Sequence, residues 1–315
     1  MIAVLAGGVG AARFLEGVAQ LMPGDAIAAI VNTGDDVQLH GLMISPDVDI
    51  VLYTLAGIIE PAQGWGVRDD TTAVLTMLQR LGVDTWFRLG DQDLAVHIMR
   101  SALLRAGARP TTIAAQLRAA LGCPVRVLPM TDDAVATHII TPDGAIHFQE
   151  YLVRRRARDT VLGVAFHGIE HARPTAEVLA ALADAEALLI APSNPVVSVG
   201  TILALPGMRA AIAAAGMPVV AVSPIVAGAP IKGPAAPLMR AQGFAVSALG
   251  VAQCYHGLID VLVIDDADRA LRPAIEALGI AVVVTDTIMR GPAEKAALAR
   301  AALDAARRHA AGAHP

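Results

Sequence analysis

Aromatic residues make up only 3% of this 315-residue chain: five Phe, three Tyr and two Trp. A core built without them rests on Ala, Val, Leu and Ile. The 55% hydrophobic share is therefore aliphatic, as in strands buried on both faces of a parallel sheet. Cysteine is nearly absent as well. Cys123 and Cys254 form neither a CxxC pair nor a zinc spacing, which leaves a reduced, cytoplasmic setting without structural disulfides as the expectation. No basic excess exists: 24 Lys and Arg stand against 29 Asp and Glu, for a net charge of −5, and this excludes the electrostatic footprint of a nucleic-acid binder. The short basic run Arg154–Arg158 reads as a solvated surface. Mean hydropathy is +0.56, yet no apolar run reaches the ~20 residues that span a bilayer. The start, MIAVLAGGVGAARFLEG, has no basic leader before its apolar run and reads as a first strand, not a signal peptide.

What is present is alternation. Ile2–Ala6 reads as a strand, Gly7, Gly8 and Gly10 as a tight loop, and Ala11–Leu21 as a helix with Phe14, Leu15, Val18 and Leu21 on one face. Ala26–Val31 is a second strand, completing a βαβ unit. Helices are predicted at Ile50–Leu55, Thr71–Leu81, Leu94–Ala106 and Thr111–Leu121, and a strand at Val125–Leu128. Pro142-Asp143-Gly144 between Thr137–Thr141 and Ala145–Gln149 signals a hairpin. From Thr160 the alternation resumes: strands at Val161–Phe166, Ala187–Ala191, Val219–Val222, Ala245–Ala248, Val261–Ile264 and Ala281–Thr285, with helices between and Gly291–Ala310 last. These elements predict a single Rossmann-like, doubly wound α/β domain over residues 1–315, mainly parallel, with an insertion at about 84–160 carrying helices and the hairpin. Its ligand belongs at the carboxyl ends of the strands.

The chemistry concentrates in Val31–Asp49, VNTGDDVQLHGLMISPDVD. Asp35 and Asp36 follow a strand end, and Asp47 and Asp49 open a helix. Four adjacent carboxylates require a cation among them or at least one raised pKa. A divalent ion holding a phosphorylated substrate answers both needs, since Mg2+ binds through one or two carboxylates plus phosphate oxygens. Gly8-Val9-Gly10-Ala11-Ala12-Arg13 has Arg where a dinucleotide fingerprint wants Gly or Ala, and it lacks the Lys-Ser/Thr of a P-loop. Its small residues still let backbone amides reach an anion at a helix N-terminus. Ser193-Asn194 and Ser223 end two further strands, and several such loops on one rim suit an extended ligand such as a nucleotide. Trp65, Trp86 and Phe87 offer a stacking surface for a flat ring. Lys232 reads as a surface lysine, and His40, His97 and His138 as satisfied polar residues.

Several separated motifs resemble one family: Gly7-Gly8-Val9-Gly10, Asn32-Thr33-Gly34-Asp35-Asp36, Ser45-Pro46-Asp47-Val48-Asp49, Leu89-Gly90-Asp91, His147-Phe148-Gln149-Glu150, Pro192-Ser193-Asn194-Pro195 and Val222-Ser223-Pro224-Ile225. In order and spacing they resemble the 2-phospho-L-lactate transferase family of coenzyme F420 biosynthesis across nearly the whole chain. The resemblance implies a Mg2+-dependent transferase, commonly a homodimer. Its donor is an acid such as lactate or enolpyruvate joined through a diphosphate to guanosine. Its acceptor is the ribityl hydroxyl of the deazaflavin Fo, and GMP leaves. By the same resemblance Asp49 and Arg88 contact the deazaflavin and Asp36 is the metal position; the chemistry of the transfer then adds Asp49 to the metal and both acids to the catalysis, with Gly8, Gly10, Ser193 and Asn194 binding the donor phosphates. Gly64-Trp65-Gly66 and the GDD variant look closer to the bacterial, phosphoenolpyruvate-type branch. Two other readings use the same architecture: an NAD(P)-binding oxidoreductase, and a non-catalytic deazaflavin- or nucleotide-binding protein. The imperfect glycine fingerprint and the four-carboxylate loop count against the first.

Overall fold

A computed structural model describes residues 1–312. Seven strands form its central sheet: β1 (Ile2–Ala6), β2 (Ile27–Val31), β3 (Arg126–Pro129), β4 (Ala187–Ile190), β5 (Val219–Val222), β6 (Val261–Asp265) and β7 (Ala281–Thr285). Every pairing is parallel, in the order β7-β6-β5-β4-β1-β2-β3. The order reverses between β1 and β4, and at such a switch point the loops after two neighbouring strands diverge and leave a crevice.

The aliphatic composition makes this sheet possible. All five residues of β1 are buried. Ala3 and Leu5 enter the core on one face, and Ile2, Val4 and Ala6 that on the other, so the strand's period of two feeds two helical layers. Helix α1 (Gly8–Ala19) packs on the C-terminal helix Pro292–Ala310 at Gly17. A Cβ there would lie 2.1 Å from the carbonyl oxygen of Lys295.

Against the loop after β2 stands a three-stranded antiparallel sheet with Ala136–Thr141 in the middle, Gly144–His147 on one side and Gly163–His167 on the other. The expected hairpin is there, closing at Thr141 opposite Gly144. The strand expected at Val161–Phe166 joins this small sheet and not the parallel one, because a short apolar run carries no record of its partner. Within 84–160, Arg126–Pro129 is an outer strand of the main sheet. The strand expected at Ala245–Ala248 is not formed. Ser247 instead caps the helix Ala248–Cys254, its Oγ accepting from the Gly250 N–H at 3.1 Å. Of the basic run, Arg155 pairs at the surface with Glu150 and Asp159.

Candidate active site

A cavity of about 860 Å3 opens at the switch point. Loops after β1, β2, β4, β5 and β7 supply its floor: Gly8 and Gly10, Asp35, Ser193 and Asn194, Ser223, and Thr287. The β1 and β4 loops touch. Gly10 has no side chain because a Cβ would lie 2.4 Å from the Pro192 carbonyl oxygen, and Gly8 takes φ +70°, a left-handed conformation natural to glycine. Four of the residues expected at the donor, Gly8, Gly10, Ser193 and Asn194, thus meet on one side of the crevice. Ser193 Oγ is buried there with no hydrogen-bond partner.

The acidic loop is folded by its own polar side chains. Asn32 Oδ1 accepts from the Gly34 N–H at 2.9 Å, and Asn32 Nδ2 donates to Asp47 Oδ2 at 3.0 Å. The small antiparallel sheet braces it from outside: the Thr137 N–H donates to the Gly34 carbonyl at 2.6 Å, and His147 Nε2 lies 3.2 Å from the Asp36 carbonyl. Asp47 and Asp49 lie in the first turn of helix α2 (Pro46–Leu55), whose positive end favours them.

The four carboxylates then divide. Asp49 is claimed by Arg100: the guanidinium bonds both its oxygens, at 3.0 Å from Nη1 to Oδ2 and by a second contact from Nη2 to Oδ1. His97 bridges from there to Asp93, with Nδ1 3.7 Å from Asp49 Oδ2 and Nε2 3.2 Å from Asp93 Oδ1, and the Tyr53 hydroxyl donates to Asp93 Oδ1 at 2.7 Å. Burial opposes the charge on Arg100, but Asp49 beside it raises its pKa above the usual value. Burial likewise acts to raise Asp93, while His97 and Tyr53 hold it below the usual carboxylate value.

Asp35, Asp36 and Asp47 have no cationic partner within ion-pair distance among the described residues. Burial pushes Asp36 up to about 8, against the opposing hydroxyl of Ser45, which donates to its Oδ2 at 2.7 Å. Burial and then Asp47 raise Asp35 well above its ordinary value, and burial raises Asp47 against the N–H groups of Asn32 and Gly8. Oδ1 of Asp35 and Oδ1 of Asp36 are buried without any hydrogen-bond partner. Unpaired carboxylate oxygens in a charge-repelling cluster suit a hard divalent cation. Asp49, Asp93 and His97 also offer ligand atoms within 4.8 Å of one another. There Arg100 already supplies the positive charge, which argues against a second cation at that cluster.

At the mouth Arg88 lies over the Trp65 ring, 5.9 Å from its centroid, and Trp86 meets Phe87 edge-on at 5.5 Å. All four line the cavity, so the aromatic surface expected from sequence is part of its wall. Arg88 and Asp49 share this cavity, whereas Asp36 stands behind Ser45 and is not part of the wall.

Sequence reasoning missed Arg100, Asp93 and the part played by His97. The helix Asp91–Arg105 brings all three in, with Asp93, His97 and Arg100 at i, i+4 and i+7 on one buried face. That spacing was a usable signal. Its N-terminus is capped from another segment: Asp70 accepts from the N–H groups of Gln92 at 2.8 Å and Asp93 at 3.1 Å. Asp91 in return accepts from Ala73 and Val74, opening the helix Ala73–Arg80. Gly90 fits between them, since a Cβ there would lie 2.0 Å from Asp70 Oδ2. Lys232, read as a surface lysine, lines the cavity and donates to the Gln63 carbonyl at 2.9 Å.

A doubly wound fold with an acid-lined crevice at its switch point has the architecture of an enzyme that handles small molecules. Comparison with known proteins makes this specific. Residues 2–296 match the family model of 2-phospho-L-lactate transferase CofD, and the chain belongs to that family. It is 46% identical over 311 residues to the phosphoenolpyruvate transferase of Streptomyces griseus, covering 97% of this chain and 98% of that one. It is 39% identical over 302 residues to the 2-phospho-L-lactate transferase of Methanosarcina mazei, covering 96% and 99%. A crystal structure of a Bacillus halodurans protein shares the fold, with a TM-score of 0.67 at 18% identity over 96% of this chain and 98% of that one. The protein is therefore a transferase of coenzyme F420 biosynthesis that acts on small molecules, which decides against the oxidoreductase and the non-catalytic reading. No helix among the described residues is long and apolar enough to cross a membrane.

Proposed function

We propose that the enzyme moves a phospho-acid, phosphoenolpyruvate or 2-phospholactate, from its guanosine diphosphate adduct to the ribityl hydroxyl of Fo, releasing GMP. The observation that carries the reading is the single cavity in which a glycine loop, an acidic cluster and an aromatic rim follow one another. The glycine loop with Ser193 and Asn194 takes the diphosphate at the N-terminus of α1. Trp65, Trp86 and Arg88 take the deazaflavin ring. The acids lie between, where the hydroxyl meets phosphorus. The new P–O bond forms from that hydroxyl as the bond to the GMP phosphate breaks, and the hydroxyl proton goes to a carboxylate.

Mg2+ binds through one or two carboxylates plus phosphate oxygens, and it would be held from the cavity wall by Asp35 and Asp47, neither of which has a cationic partner within ion-pair distance among the described residues. When bound it supplies charge neutralisation at the diphosphate. Asp49 was expected among the ligands, but its oxygens face Arg100, so its part is to orient the hydroxyl from a fixed position. Orientation of this kind accounts for as much as ~7–11 kcal/mol of a barrier. A carboxylate in a bidentate arginine pair is a weak base, so Asp49 positions the hydroxyl and is not the group that takes its proton.

The test is incubation with Fo, Mg2+ and each guanylylated acid in turn, following product mass and GMP release. A Mg2+-dependent product with the mass of Fo plus one phospho-acid is expected. Its absence with every acid overturns the reading. Asp49→Asn is expected to fold and lose most turnover; near-native turnover removes Asp49 from the mechanism. The reading extends to a cytoplasmic homodimer, which sedimentation of the purified chain tests.

A further inference from the structure

We propose that Arg13 and Lys232 form a cationic clamp for a diphosphate, set beside the glycine loop on the side of the leaving nucleotide. The inference deepens the transferase reading and rests on it for the nucleotide, though not for the anion. Arg13 is carried by α1 and Lys232 by the loop after β5, and both side chains line the cavity. Helical side chains lean toward the N-terminus, so Arg13 extends toward the glycine loop. Lys232 Nζ holds the Gln63 carbonyl at 2.9 Å and lies 3.9 Å from where a Gly64 Cβ would be. The ammonium thus spans from the β5 loop to the turn that bears Trp65.

Neither cation has a carboxylate within ion-pair distance among the described residues, although the cavity floor is rich in acids. Burial, and then the charge of Arg13, depress the Lys232 pKa. Two neighbouring like charges without a counter-ion cost free energy unless a ligand brings one. An independent feature points to the same ligand: the buried Ser193 hydroxyl has no partner and faces the same cavity. A carboxylate would neutralise one of the two cations. A diphosphate matches both and still accepts from the α1 amides and the serine hydroxyl. Arg13 is also the residue that breaks the dinucleotide fingerprint. In this reading the departure is functional, placing a guanidinium where charge builds on the departing GMP phosphate.

The full-length protein is titrated calorimetrically, with Mg2+ present, against inorganic pyrophosphate, GDP, guanosine and Fo. Arg13→Gln and Lys232→Met alter exposed residues. Each is expected to weaken pyrophosphate and GDP by about ten-fold, and to flatten the salt dependence. Guanosine and Fo are expected to hold within about two-fold, since neither carries phosphate. Lys232→Arg is expected to restore pyrophosphate affinity, because it returns the charge. Unchanged pyrophosphate and GDP affinities in both variants, or an equal loss for guanosine and Fo, overturn the clamp. Wild-type protein that binds pyrophosphate through this pair but neither GDP nor Fo keeps the clamp and overturns the proposed donor and acceptor. Turnover of Fo without pyrophosphate or GDP binding does the reverse.

Discussion

Replacing Arg100 by Met tests whether Asp49 is held by a buried ion pair. Arg100 is 4% exposed and Asp49 4% exposed, so water cannot take over when the guanidinium is lost. Both Asp49 oxygens lose a charged donor at once, and His97, 1% exposed, is left with the unpaired carboxylate. Removing one partner of a buried pair costs ~3–5 kcal/mol, because the other charge stays buried. Urea unfolding of Arg100→Met is expected to show a loss of this size. Pairing it with Asp49→Asn removes the stranded charge, and the double variant is expected to regain about half of the loss or more. Turnover falls in the single variant and returns partly in Arg100→Lys, which keeps the charge without the fork. A loss below ~1 kcal/mol would put the pair on the scale of a solvated surface bridge and refute the buried-clamp reasoning. A double variant no better than the single one would refute it too.

Three further outcomes are expected. An acid whose folded pKa lies above its unfolded one keeps a proton that the unfolded chain releases. With Asp36 at about 8 and Asp35 and Asp47 also raised, metal-free protein is expected to lose stability as pH climbs from about 4 to about 8. Thermal melts across that window check this, and Mg2+ is expected to flatten the slope; a slope of opposite sign without metal sinks the assignment. Gly10→Ala puts a methyl 2.4 Å from the Pro192 carbonyl oxygen, so the β1 and β4 loops must part. A stability loss of ~1–3 kcal/mol with weakened GDP binding is expected from calorimetry and titration. Trp65→Ala removes the ring under Arg88, and steady-state kinetics are expected to show a raised KM for Fo with GDP affinity unchanged.

Local sequence determined most strands of the parallel sheet and the acidic cluster beside it. The buried aliphatic run IAVLA is an inner strand, as read, while the helix expected from Ala11 begins earlier, at Gly8, with Gly7 as its N-cap. Asn32, Asp35, Asp36, Asp47 and Asp49 fall within 18 residues, so their clustering needed no long-range contact to be legible. Tertiary structure alone decided which charges meet. Arg100 lies 51 positions from Asp49, and Asp91 and Asp70 cap each other's helices across a loop. Lys232 reaches Gln63 across 169 positions. The partner of Gly163–His167 and the fate of Ala245–Ala248 were hidden for the same reason. A strand's alternation tells which face is apolar, but not which neighbour covers it. A charged side chain's role depends on the potential at its final position, and that potential is a sum over residues the chain brings together only on folding.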